Sequence, residues 1–150
     1  MMTKPSPMSH ALRAWMDVFM HRSMRSWHVY VKTTGLTMPQ FSILMQLHYK
    51  GACGMSEISE KFDVTAAAAS QLAEKLVQGG YIERAEDPSD RRAKFIQLSP
   101  KGSDLIEAGI KERYRWMDEI TSNLTAEEKG RVAGALRLLT EAAKNLEDSK

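Results

Sequence analysis

Asp90, Arg91 and Arg92 close a turn-forming run, Glu86-Asp87-Pro88-Ser89-Asp90, between two segments of strand composition. Adjacent guanidiniums on a hairpin tip suit an electronegative target. An arginine fits the narrow minor groove of A·T-rich DNA, and a neighbouring aspartate orients it by a charge-assisted hydrogen bond. Lys94 follows at the start of the second strand segment. On its own such a tip is more often a solvated turn, so its meaning depends on what precedes it.

What precedes it is a second set of residues with recognition chemistry. Thr65 stands before Ala66-Ala-Ala-Ala69, Ser70, Gln71 and Lys75 in a helical pattern closed by Gly79-Gly80. Thr65 is the expected N-cap, and a helix N-terminus directs free N–H groups and partial positive charge at phosphate. At helical spacing Ala66, Ala67, Ser70, Gln71 and Glu74 share one face, with Lys75 on its flank. Gln71 can pair bidentately with adenine and Ser70 with several base edges, while the methyls of Ala66 and Ala67 suit thymine methyls and close groove approach. The opposite face, with Ala69, Leu72, Ala73 and Leu76, is expected to pack inward with Ile58, Phe62 and Val64 of the preceding helix and turn. Helix, turn, helix and hairpin form a DNA-reading arrangement.

The elements that must hold these residues are mostly helical. Six helical patterns appear, with the hairpin after the fourth, so the expected class is mainly α with a small β wing. From about Ser9 to Lys32, Leu12, Trp15, Met16, Phe19, Met20, Trp27 and Tyr30 recur near helical spacing. Thr37 with Pro39 opens a second helix that Gly51 stops. The hairpin strands are expected over 81–85 and 93–98, with Ile96 and Leu98 on one face. Ser99-Pro100 opens a fifth helix, and Thr125-Ala-Glu-Glu128 is a capping box for a sixth. In the sixth, Val132, Leu136, Leu139, Ala143 and Leu146 form an apolar seam. Two long terminal helices with apolar stripes exceed what the central module can cover, so pairing of two chains is expected through Leu12, Val132, Leu136, Leu139 and Leu146. The expected division is an N-terminal dimerisation helix over 1–35, a winged helix-turn-helix domain over 36–100 and C-terminal dimerisation helices over 101–150.

Composition limits the alternatives. The 150 residues are 43% hydrophobic and 27% charged, with a net charge of +2. That is an ordinary folded chain rather than a strongly basic one. Between Val64 and Pro100 five basic residues meet five acidic ones, so any contact with a polyanion depends on placement rather than bulk charge. A single cysteine, Cys53, excludes an internal disulfide framework. No apolar run approaches a membrane span or a signal core, and a cytoplasmic protein without membrane association is expected. The chain has no nucleophile elbow, phosphate loop or zinc-protease helix, and an enzyme is not expected. No cofactor is expected, nor a metal: His21 and His28 lie seven residues apart without an adjoining carboxylate or thiol to complete a set. Cys53, in Lys50-Gly-Ala-Cys-Gly54, lacks a basic run that would favour its thiolate.

Taken together, the helix-turn-helix, the wing Asp-Pro-Ser-Asp-Arg-Arg, the strand ending Leu98-Ser-Pro-Lys-Gly102 and the two closing helices resemble the MarR family of transcriptional regulators over nearly the whole chain. The resemblance implies a homodimeric winged-helix protein on a pseudo-palindromic operator, usually a repressor, released by a small and commonly aromatic ligand. Asp90 matches the wing aspartate and Arg92 the arginine that reaches the minor groove, while Arg91 falls at a more variable position near phosphate. Ser70 and Gln71 match recognition-helix contacts, whereas Ala66 and Ala67 stand where many members carry polar or basic groups. The family's ligand region would be lined here by Trp15, Phe19, His28, Phe41, Met45 and His48. A winged helix that binds another protein and no operator is the competing expectation.

Overall fold

The computed structural model describes residues 6–86 and 94–147, which form six helices and a three-stranded antiparallel sheet. The first helix, α1, runs Pro7–Thr34. It is longer at both ends than the apolar pattern suggests, because its stops are polar: Ser6 accepts from the Ser9 N–H at 3.2 Å, and Gly35 takes the left-handed conformation at φ 72°. Helix α2 spans Met38–Lys50. Thr37 and Gln40 cap its start reciprocally, with the Thr37 N–H donating to Gln40 Oε1 at 2.9 Å.

A two-residue strand, β1 (Cys53–Gly54), follows, then α3 (Met55–Lys61) and α4 (Ala66–Gln78). Between α3 and α4, Asp63 sits at φ 49°, a conformation that aspartate tolerates better than most residues. The hairpin strands are β2 (Ile82–Glu86) and β3 (Lys94–Leu98), and the sheet order is β1-β3-β2. Cys53 pairs with Ile96 on one side of β3, and Arg84 pairs with Ile96 on the other. Helices α5 (Pro100–Ser122) and α6 (Ala126–Glu147) complete the chain. The chain divides within the span of α5 into two compact units, one ending at Tyr114 and the other beginning at Arg115.

The first unit holds the core. Phe41 is completely buried, with the Trp27 ring edge-on at 4.7 Å and that of Tyr30 at 6.1 Å. Around it lie Val31, Ile43, Leu44, Leu47, Ile58, Leu76, Ile82, Ile96 and Ile106. The Tyr30 hydroxyl donates to the Leu105 carbonyl at 2.8 Å, and burial, then Glu112, pushes its pKa up. Buried Ile58, Ala69, Ala73 and Leu76, with half-buried Phe62, Val64 and Leu72, form the inward face expected of the helix-turn-helix. This apolar contact fixes α4 at one angle to α3.

The ends of the chain look different. In α1, Leu12, Trp15, Met16 and Met20 are exposed, as are Val132, Leu136 and Leu146 of α6; Leu139 is half-buried. Among the described residues no helix is long and apolar enough to cross a membrane.

Candidate nucleic-acid interface

Helix α4 carries the clearest functional face. The Thr65 hydroxyl accepts from the Ala68 N–H at 3.1 Å, which satisfies one of the first-turn donors; helix geometry leaves the neighbouring N–H groups of that turn without intrahelical acceptors. Ala66, Ala67, Ser70, Gln71, Glu74 and Lys75 are all exposed, while Ala69, Ala73 and Leu76 are buried beneath them. The expected outward set is thus gathered on one surface, with methyl groups at the N-terminal end and polar groups further along. Ala68 is half-buried at the boundary.

The hairpin rises beside this helix. Its ladder runs from Ile82 opposite Leu98 to Glu86 opposite Lys94. Lys94 is therefore the first described residue of β3, opposite Glu86. Asp90, Arg91 and Arg92 lie outside the described residues, within the segment 87–93 that joins Glu86 to Lys94.

An ion pair that the sequence does not announce ties the two parts together. Arg84 Nη2 donates to Glu74 Oε2 at 2.6 Å, with both side chains about half exposed. Alternation along β2 puts Arg84 on the same face as Ile82, which signals its direction but not its partner. In water such a pair contributes ~0–1 kcal/mol, so it orients the two groups more than it holds the fold.

The base of the hairpin is fastened to the start of α5. Ser99 N–H donates to the Tyr81 carbonyl at 3.1 Å, and Ser99 Oγ donates to the Gly80 carbonyl at 2.6 Å. Gly102 N–H then donates to Ser99 Oγ at 3.0 Å. Lys101 reaches back to the Gly79 carbonyl at 2.7 Å and lies 4.3 Å from the centre of the Tyr81 ring. Gly80, at φ 74°, supplies the left-handed turn that lets the chain leave α4 and enter β2.

The residues expected to line a ligand site are dispersed in their environments. Trp15 and His28 are exposed on α1, and Phe19 is half-buried with its ring 6.5 Å from that of Tyr114. Met45 and His48 are half-buried on α2, where His48 packs edge-on against Tyr49 at 5.1 Å. Phe41 has no exposed surface and belongs to the packed interior. His28 lies on a broad, open surface of α1 with Met20, His21, Met24, Arg25, Val29 and Lys32, and its Nδ1 is 3.0 Å from the Met24 carbonyl. A smaller cavity lies where α4 meets the sheet, lined by Met55, Ser70, Ala73, Arg84, Phe95 and Ile96.

Cys53 is buried in β1, and burial, assisted by Glu57, pushes its thiol pKa up. The thiol is thereby kept protonated, the opposite of what a reactive thiolate needs. Among the described residues no group of three or more His, Cys, Asp and Glu is placed to hold a metal ion.

Residues 36–94, which contain α2, the helix-turn-helix and the start of β3, match the model of the MarR family. An uncharacterized HTH-type transcriptional regulator of Bacillus subtilis, YdgJ, is 26% identical over 114 residues, 76% of this chain and 70% of that one. The crystal structure of the transcriptional regulator Tm0710 from Thermotoga maritima is 28% identical and superposes with a TM-score of 0.80, covering 96% of this chain and 98% of that one. A mutant of S. aureus MepR bound to an oligodeoxyribonucleotide repeats the fold at 20% identity with a TM-score of 0.63, over 93% of this chain and 99% of that one. The matched segment coincides with the winged module, and the likeness to Tm0710 covers 96% of this chain, so the winged module, residues 36–94, is a MarR-family module.

Proposed function

We infer that this protein is a sequence-specific regulator of transcription that binds double-stranded DNA as a homodimer. The observation that carries this function is the division of α4 into a buried face and a capped, solvent-facing recognition surface, Thr65 to Lys75. In the bound state α4 occupies the major groove, where Ser70 and Gln71 read base edges and Ala66 and Ala67 meet methyl groups. Arg92, oriented by Asp90, reaches the adjacent minor groove, and Arg91 and Lys94 lie toward phosphate. The MepR mutant bound to an oligodeoxyribonucleotide supports this use of the fold.

The exposed apolar side chains of α1 and α6 support dimerisation through the terminal segments 1–35 and 101–150, with 36–100 as the DNA-reading domain. Two-fold symmetry then requires recognition helices about 34 Å apart, or a multiple of one DNA turn, and a pseudo-palindromic operator. Repression, relieved by a small aromatic effector near Trp15, Phe19, His28, Met45 and His48, completes the proposal. Reciprocal coupling demands that operator DNA weaken effector binding by the same factor as the effector weakens DNA binding.

Selection from a random duplex pool with native protein and Arg92→Ala in parallel tests this function. Native protein should enrich an inverted repeat. The variant should bind that repeat more weakly, with a salt dependence shallower by about one for each arginine removed from the DNA. A folded native dimer that enriches nothing would instead make the winged helix a protein-interaction module.

A further inference from the structure

Helix α4 contains one carboxylate, Glu74, and it stands on the exposed face one turn beyond Ser70. A negative charge facing a polyanion lowers affinity unless it is offset or used. Here it is held in a defined orientation. Oε2 accepts from Arg84 at 2.6 Å, while Oε1 lies 3.4 Å from Gln78 Nε2. An ionised carboxylate has about four acceptor sites, so these contacts leave acceptor capacity on a group whose side chain is 48% exposed. Arg84 is in turn fixed by the strand pairing of β2 with β3 opposite Ile96. A sheet residue thus aims a helix carboxylate along the surface that also bears Gln71.

We propose that Glu74 is a specificity-determining residue that accepts a hydrogen bond from the N4 amino group of a cytosine in the major groove, with Arg84 as the positioning residue that aims the carboxylate and offsets its charge. This rests on the DNA-binding function proposed above. Glutamate accepts naturally from cytosine N4, whose amino group is the donor that C presents in the major groove. Exclusion of water at the interface strengthens the Arg84 contact relative to its value in the free protein. The alanine-rich start of α4 then supplies close approach, and base discrimination falls to Ser70, Gln71 and Glu74.

The experiment is random-pool selection followed by affinity measurement at one fixed salt concentration, with native protein, Glu74→Ala, Glu74→Gln, Arg84→Ala and Arg84→Lys. Both side chains are half exposed, so the variants retain the fold, which circular dichroism verifies. Native protein should prefer cytosine at one position of each half-site. Glu74→Ala should lose that preference by about tenfold while keeping the others, and its affinity for unrelated DNA should rise because a negative charge has left the interface. Glu74→Gln should move the same position toward adenine. Arg84→Ala should relax that position too, and Arg84→Lys should restore part of the preference. Unchanged base preferences in Glu74→Ala, or a uniform loss of affinity for all sequences, would overturn the assignment while leaving the DNA-binding function intact. Failure of native protein to enrich any sequence would remove that function and the assignment together.

Discussion

Replacing Gly102 by alanine should destabilise the protein by about 1–3 kcal/mol. The third residue of α5 runs so close to the hairpin that an added Cβ would lie 2.0 Å from the Tyr81 carbonyl oxygen, 3.0 Å from its carbon and 3.2 Å from Leu98 Cδ2. Ordinary C···O approach is about 3.3 Å or more, so backbone would have to move by about 1 Å. The carbonyl that must move accepts from Ser99 N–H at 3.1 Å, and a shift of that size takes the bond outside hydrogen-bonding range. Breaking it costs about 1 kcal/mol, overpacking adds about 1–3 kcal/mol, and the better helix propensity of alanine returns at most about 1 kcal/mol. The melting temperature should fall by roughly 3–9 °C for a chain of this size. Urea unfolding at fixed protein concentration measures the change, with Gly130→Ala as the comparison. No atom lies within 4 Å of the Cβ position at Gly130, so there alanine should stabilise α6 by up to about 1 kcal/mol. If Gly102→Ala were as stable as native protein while Gly130→Ala gained as expected, the tight junction between α5 and the hairpin would be refuted.

Two further consequences are testable on the isolated protein. Thr65→Ala removes the side-chain acceptor for the Ala68 N–H and should cost about 1 kcal/mol, read as a lower urea midpoint that Thr65→Asp largely restores. Because burial raises the Cys53 pKa, its thiolate fraction near neutral pH is below that of a free cysteine. Alkylation should therefore be slow in the native protein and rapid in urea, and peroxide should leave DNA affinity unchanged; fast native alkylation at neutral pH would contradict the buried, protonated thiol.

Polar stop signals and apolar periodicity made the helices legible. Thr37 with Pro39, Thr65 before four alanines, and Ser99-Pro100 each mark a helix start through local hydrogen bonding, which short sequence windows contain. The buried and exposed faces of α4 followed from the same periodicity. Strand β1 did not, because two residues carry no alternation and Cys53 pairs with a residue far along the chain. The Glu74–Arg84 contact was hidden for a related reason: strand alternation gives a face, and only the angle between β2 and α4 decides which helix residue that face meets. Phe41 illustrates the third limit. An aromatic residue at helical spacing reads the same whether it lines an open site or fills the interior, and here Trp27 and Tyr30 close around it. The start of α1 at Pro7 was missed because Ser6-Pro7 lies upstream of the apolar pattern.

A net charge of only +2 is compatible with a phosphate-binding surface because several acidic groups are already engaged within the protein. Glu57 Oε2 accepts the Gly54 N–H at 2.8 Å, Glu128 Oε2 accepts that of Thr125 at 2.8 Å, and Glu74 is held by Arg84. The Thr125 contacts hold the Glu128 carboxyl below the usual carboxylate range. Such contacts offset part of the acidic charge with donors of the protein itself, whereas Lys75 remains exposed on the flank of α4. Affinity for a polyanion then follows from the number of phosphates that meet a basic group or a helix N-terminus, not from the sum of charges. The salt dependence of binding should accordingly report a phosphate count set by α4 and the wing, and substitutions that alter net charge on other surfaces should shift that slope far less than Arg92→Ala does.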